Sequence, residues 1–70
     1  MKNGMHINEW GTKSWYLNGR YHRLDGPAVE YEDGDKEWLA NGKYYDSFDN
    51  WLKAVNISDE QKVFLKLKWG

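Results

Sequence analysis

Seventy residues make one small domain, near the lower size at which an apolar core suffices unaided. The absence of cysteine excludes a disulfide framework and a thiolate zinc site. A net charge of −1 excludes the overall basic footprint of a duplex nucleic-acid binder. Stability must come from burial, and five Trp, five Tyr and two Phe are the means.

The charge is unevenly spread. Residues 1–24 carry four basic groups against Glu9, giving +3; residues 25–51 carry eight acidic groups against Lys36 and Lys43, giving −6; residues 52–70 carry four lysines against Asp59 and Glu60, giving +2. An acidic middle suits a basic partner. Residues 1–6 lack the apolar run of a secretion signal, and no stretch reaches membrane-spanning length. A cytoplasmic protein with no membrane contact is the expectation.

Taken in order, residues 6–10 read as a short strand ending at a Gly11-Thr12 turn, and residues 13–17 as a second strand. Asn18-Gly19 signals a type I′ hairpin, which needs positive φ at both central positions. The two-residue loop then sets Leu17 opposite Arg20, Tyr16 opposite Tyr21 and Trp15 opposite His22. Pro27, with no donor, breaks the ladder at Asp25-Gly26-Pro27. Residues 28–32 alternate again, and Asp33-Gly34 turns the chain into a second copy of the opening phrase. Lys36-Glu37-Trp38-Leu39-Ala40-Asn41-Gly42-Lys43 matches Lys13-Ser14-Trp15-Tyr16-Leu17-Asn18-Gly19-Arg20 at a spacing of 23. Its Asn41-Gly42 loop sets Ala40 opposite Lys43, Leu39 opposite Tyr44 and Trp38 opposite Tyr45.

The C-terminal third changes period. Ser47 can cap a helix with Phe48, Trp51, Leu52 and Val55 on one face. Ser58-Asp59-Glu60-Gln61 is a capping box that starts a final helix, with Val63, Phe64 and Leu67 on one face and Leu65 and Trp69 off it. The fold class is therefore α+β: an antiparallel meander of about six short strands, with two C-terminal helices packed on one face. Residues 1–70 form a single domain, with hairpin repeats over 6–45 and a two-helix cover over 47–69.

Register divides the sheet. One face carries Trp15, Leu17, Arg20, His22, Trp38, Ala40, Lys43 and Tyr45; the other carries Tyr16, Tyr21, Leu39 and Tyr44. Both are substantially apolar, and two short helices cover one at most. The tyrosine face lacks charge, so it is the one expected under the helices. That leaves Trp15, Arg20, His22, Trp38, Lys43 and Tyr45 as a contact surface, open to a partner or to a second copy. The acidic run Glu30, Glu32, Asp33, Asp35 and Glu37 is a second candidate for docking, set against its plainer role as a solvated edge that discourages aggregation.

His22 and Asp25 could serve as base and orienting acid, but no Ser, Thr or Cys is placed as a nucleophile. Arg23 and Asp25 are expected instead to tie down the Gly26-Pro27 corner, with His22 packed on Trp15. His6, His22 and Asp25 have no metal-site spacing, and the acidic run lacks the order of a calcium loop. No cofactor or metal is expected.

The stretch Trp15-Tyr16-Leu17-Asn18-Gly19-Arg20-Tyr21-His22-Arg23-Leu24-Asp25-Gly26-Pro27-Ala28-Val29-Glu30, with Asp33-Gly34-Asp35-Lys36-Glu37-Trp38 after it, resembles a hairpin repeat of small tailed-bacteriophage proteins. It is more loosely similar to MORN-type repeats. The likeness covers about residues 9–43; after Lys43 the repeat's corner is replaced by Tyr44-Tyr45-Asp46-Ser47-Phe48-Asp49. It implies a phage origin, and most of that family has no assigned activity. The expected function is a non-enzymatic protein-binding module, an inhibitor of a host defence protein acting by steric blockade. The alternatives are a nucleotide or single-stranded nucleic-acid binder using the same aromatics, and a virion assembly module.

Overall fold

The computed structural model of the chain describes residues 2–70. Six strands, β1 (Gly4–Ile7), β2 (Lys13–Leu17), β3 (Arg20–Tyr21), β4 (Val29–Glu30), β5 (Lys36–Ala40) and β6 (Lys43–Tyr45), precede two helices, α1 (Phe48–Ala54) and α2 (Asp59–Trp69). The sheet is antiparallel in the order β1-β2-β4-β5-β6, and β3 also pairs with β2. β2 is thus shared: its C-terminal half pairs with β3 and its N-terminal half with β4. Between those two partners the chain leaves the sheet as the Arg23-to-Pro27 corner and returns.

Both Asn-Gly hairpins form as expected, with φ of 52° at Asn18 and Asn41 and 80° at Gly19 and Gly42. The pairings Leu17–Arg20, Tyr16–Tyr21, Ala40–Lys43, Leu39–Tyr44 and Trp38–Tyr45 are those the loops dictate. β1 differs from expectation, spanning residues 4–7 rather than 6–10. The Asn8 side chain accepts the amides of Trp10 and Thr12 at 3.0 Å each, which ends the strand and curls residues 8–12 into a turn.

The two units repeat in three dimensions. The amide of Gly19 donates to the Lys2 carbonyl, and that of Gly42 to the Tyr21 carbonyl. The amide of Asn18 donates to Asn3 Oδ1, and that of Asn41 to His22 Nδ1. His6 and Ile7 pair with Ser14 and Lys13, as Val29 and Glu30 pair with Glu37 and Lys36. β1 with the residues before it therefore does for the first unit, in one short run through Gly4 at a φ of 80°, what β3 and β4 together do for the second. It needs no corner to do so.

The helices correct the expected face. The main core joins Trp38, Trp51, Leu52, Val55 and Leu65, with Ala40, Tyr45, Phe48, Ile57 and Trp69 packed around it. Helices therefore cover the tryptophan face, and Trp38 is only 9% exposed. Small Ala40 leaves room for the α1 backbone to approach, and Trp51, fully buried, donates from Nε1 to the Leu39 carbonyl at 3.2 Å. Arg20 and Lys43, the charges that argued against burying this face, sit at the hairpin tip ends of β3 and β6, and both are exposed. A seven-residue helix is only about 10 Å long, so its footprint need not reach them.

Each helix starts as its sequence specifies: Ser47 accepts from Asn50 N, and Ser58 with Gln61 completes the capping box. The apolar stripe of α1 faces the core. That of α2 does not. Leu65 is buried and Trp69 half-buried, whereas Val63, Phe64 and Leu67 are 58%, 66% and 84% exposed. The anchor is the corner of the first unit: Trp69 Nε1 donates to the Asp25 carbonyl at 3.1 Å. A Cβ on Gly26 would lie 2.9 Å from the Trp69 ring and 2.8 Å from Arg23 Cζ, so only glycine admits both side chains.

Candidate functional site

The face turned away from the helices is an open trough of about 690 Å³. Cross-strand rows build it. His6, Ser14, Val29 and Glu37 form one row; Gly4, Tyr16 and Tyr21 a second; Leu39 and Tyr44 a third. Val29 and Leu39 are buried in its floor, packed with Ala28 from the other side of the strand. Tyr16 and Tyr21 stack at 4.9 Å, and His6 meets Tyr16 edge-on at 5.4 Å. Lys2 Nζ stands 5.1 Å from the Tyr16 ring centre. Trp10 and Tyr31 close one end of the trough, and Tyr44, outside it, extends the apolar surface beyond Leu39.

The Tyr31 hydroxyl donates to Glu37 Oε1. Hydrogen bonding to that carboxylate holds the phenol's proton and pushes its pKa up to about 12. Glu37 is thereby fixed at the trough wall, the one carboxylate among the trough-lining residues. The arrangement offers flat amphipathic rings, a buried aliphatic floor and one oriented anion.

The residues expected to form a contact surface are scattered. Trp38 is core. Trp15 is half-buried, with the Arg23 guanidinium 3.8 Å from its ring centre. Arg23, rather than His22, is therefore what packs on Trp15. Arg23 also binds Asp25 Oδ1 through Nε at 2.7 Å and the Pro27 carbonyl through Nη1 at 3.1 Å, so the expected tie across the corner is present. His22, Lys43 and Tyr45 do come together, around a cleft of about 500 Å³ beside the end of α1, while Arg20 lies against Gly42.

The acidic run is divided by the strand pleat. Glu30 stands in register between Lys13 and Lys36, and its carboxylate pairs with Arg23 Nη1 at 3.7 Å. Glu32, Asp33 and Asp35 are exposed in the β4–β5 turn, where Asp33 Oδ1 accepts the Asp35 amide. Glu37 belongs to the trough. Sequence reasoning missed Tyr16, Tyr21 and Tyr44 as accessible residues over a floor that includes buried Leu39, although register had already placed all four on one face. Among the described residues no group of three or more His, Asp or Glu is placed to hold a metal ion, and no helix is long and apolar enough to cross a membrane. Compared with known proteins, the chain matches no family model, no curated protein and no solved structure.

Proposed function

We propose that this chain is a small non-enzymatic protein-binding module whose tyrosine-lined trough receives a segment of a partner protein. One observation carries the reading: both helices are spent on the tryptophan face, and the opposite face, with Tyr16, Tyr21, Leu39 and Tyr44, stays open. Tyrosine supplies large, rigid, amphipathic contact area with few torsions to immobilise, which suits it to gripping protein surfaces. Glu37 adds an oriented carboxylate for a basic residue of the partner. The polar residues that could have served acid–base work have structural duties instead. His22 Nδ1 accepts the Asn41 amide, and Asp25 is held by Arg23.

The resemblance of residues 9–43 to a phage hairpin repeat supports a host protein as the partner and steric blockade as the mode of action. The nucleotide-binding alternative relied on the rings of Trp15 and Trp38, which Arg23 and α1 cover.

A photo-crosslinking residue in place of Tyr44 tests the reading in a bacterial lysate. The expected outcome is one protein captured through position 44 and not through position 53 on α1. Capture should be lost when Tyr16 and Tyr21 are both changed to Ala in a chain whose circular dichroism is unaltered. Capture that survives this change, or no capture at all, refutes the trough as the binding site.

A further inference from the structure

α2 carries a second unpartnered surface, on the helix side of the sheet. Val63, Phe64 and Leu67 form an exposed apolar stripe. It continues into a cleft of about 740 Å³ lined by Leu24, Asp25, Ser58, Glu60, Leu65 and Lys68, among others. Leu24 is itself 41% exposed. A helix normally turns its apolar stripe inward; here Leu65 and Trp69 hold the helix from another side and leave the stripe in solvent.

The ends of the stripe carry opposite charge. Asp59 and Glu60 lie in the first turn, Lys66 and Lys68 in the last. On a helical wheel Glu60 falls on the same side as Val63, Phe64 and Leu67, with Lys66 and Lys68 at its flanks. Reversed end for end about a point between Val63 and Phe64, Val63 meets Phe64, Leu67 meets the aliphatic stem of Glu60, and the acidic first turn of each copy lies against the last turn of the other, where Lys66 and Lys68 stand. A parallel arrangement would set Glu60 on Glu60 and Lys68 on Lys68. The acidic first turn also disfavours an anionic lipid surface, which Lys62, Lys66 and Lys68 alone would attract.

From this self-complementarity we infer that α2 is a homodimerisation element: two copies pair through antiparallel α2 helices about a two-fold axis near Val63 and Phe64. Each Leu24–Phe64 cleft receives the stripe of the other copy. The patch is small, so association is of the concentration-dependent kind. The troughs lie on the far side of each sheet and remain open in the dimer.

Sedimentation equilibrium of the full chain tests this directly. The expected result is a mass rising with concentration from 8.4 kDa towards twice that value. Phe64→Glu or Leu67→Glu, at exposed positions, should leave thermal unfolding at low concentration unchanged and keep the protein monomeric. Glu60→Lys alone, or Lys68→Glu alone, should raise the dimer dissociation constant about tenfold, and the two together should restore it. A monomer at every concentration overturns the inference. So does a dimer indifferent to Phe64→Glu, or one that the paired charge exchange fails to restore. Recovery of the wild-type chain as a monomer on vesicles of anionic phospholipid would overturn it in favour of a lipid surface.

Discussion

The two repeat units place a tryptophan at the same point of the same hairpin and give it different company. Trp15 lies under a guanidinium, half-buried, with Arg23 held over it by Asp25 and Pro27. Trp38 lies under aromatic rings: Phe48 and Trp51 at 4.8 Å each and Trp69 at 5.9 Å. The strand phrase is common to both, so the difference originates in the segment after each hairpin. The first unit runs on into a corner, whose arginine folds back on its own tryptophan. The second runs on into a helix, which brings the core. The repeat builds the sheet, and the connector decides what is buried.

Truncating the two tryptophans should separate the units most sharply. Trp38→Ala removes the ring on which three others pack and should cost about 3–5 kcal/mol, close to the whole stability of a domain this size. Trp15→Ala, half-buried at the outset, should cost roughly 1–2 kcal/mol and leave a folded protein. Urea denaturation monitored by circular dichroism distinguishes them; equal losses would erase the contrast.

The corner couples the units through α2. Gly26→Ala forces a Cβ against Arg23 and Trp69 and should cost about 1–3 kcal/mol. The expected signature is faster amide exchange in residues 59–69 with the Asn18-Gly19 hairpin unaffected. Exchange that rises uniformly would mean that the corner does not anchor the helix.

Asn3 and His22 make equivalent bonds to equivalent turns. Asn3→Ala and His22→Ala should each cost about 1 kcal/mol in chemical denaturation. A large inequality would break the structural equivalence of β1 with β3 and β4.

The smallest effect concerns pH. Tyr31 binds its proton more tightly folded than unfolded, so its bond to Glu37 adds stability below the ordinary phenol pKa of about 10. That contribution is lost as the pH climbs from about 10 to about 12. Wild type should therefore exceed Tyr31→Phe in stability at pH 9, and the gap should close by pH 12. A gap that stays constant across this range would show that Glu37 does not hold the proton.

Much of the fold was legible in the residues. Asn-Gly loops determine register, so two dipeptides suffice for five cross-strand pairs; Ser47 and Ser58 mark both helix starts. The covered face was not legible. Alternation says which side chains share a face, and both faces read as apolar; the choice fell to Ala40 and the reach of α1, which are tertiary matters. Arg20 and Lys43 weighed against the tryptophan face only because their place at the hairpin tips, outside the helix footprint, is invisible in a pattern. α2 misled for a related reason. Its stripe is a sound amphipathic pattern, yet its anchors are the Asp25 carbonyl and the space above Gly26, which lie 44 and 43 residues from Trp69 in the chain. The site went with the face: once the helices were placed on the wrong side, the tyrosines were counted as core.

β1, which needs no corner, bears on how large such a module can be. Because Lys2 and Asn3, just before it, supply the first hairpin with the carbonyl and side-chain acceptor that Tyr21 and His22 supply to the second, β1 needs no unit before it and does not dictate how many come after. Splicing a further 23 residues between the first corner and the second hairpin would preserve every junction type already present. The trough would lengthen by one tier of tyrosines while both termini kept their contacts. The fold is in that sense an adjustable gauge, with grip length set by unit count and end chemistry held constant.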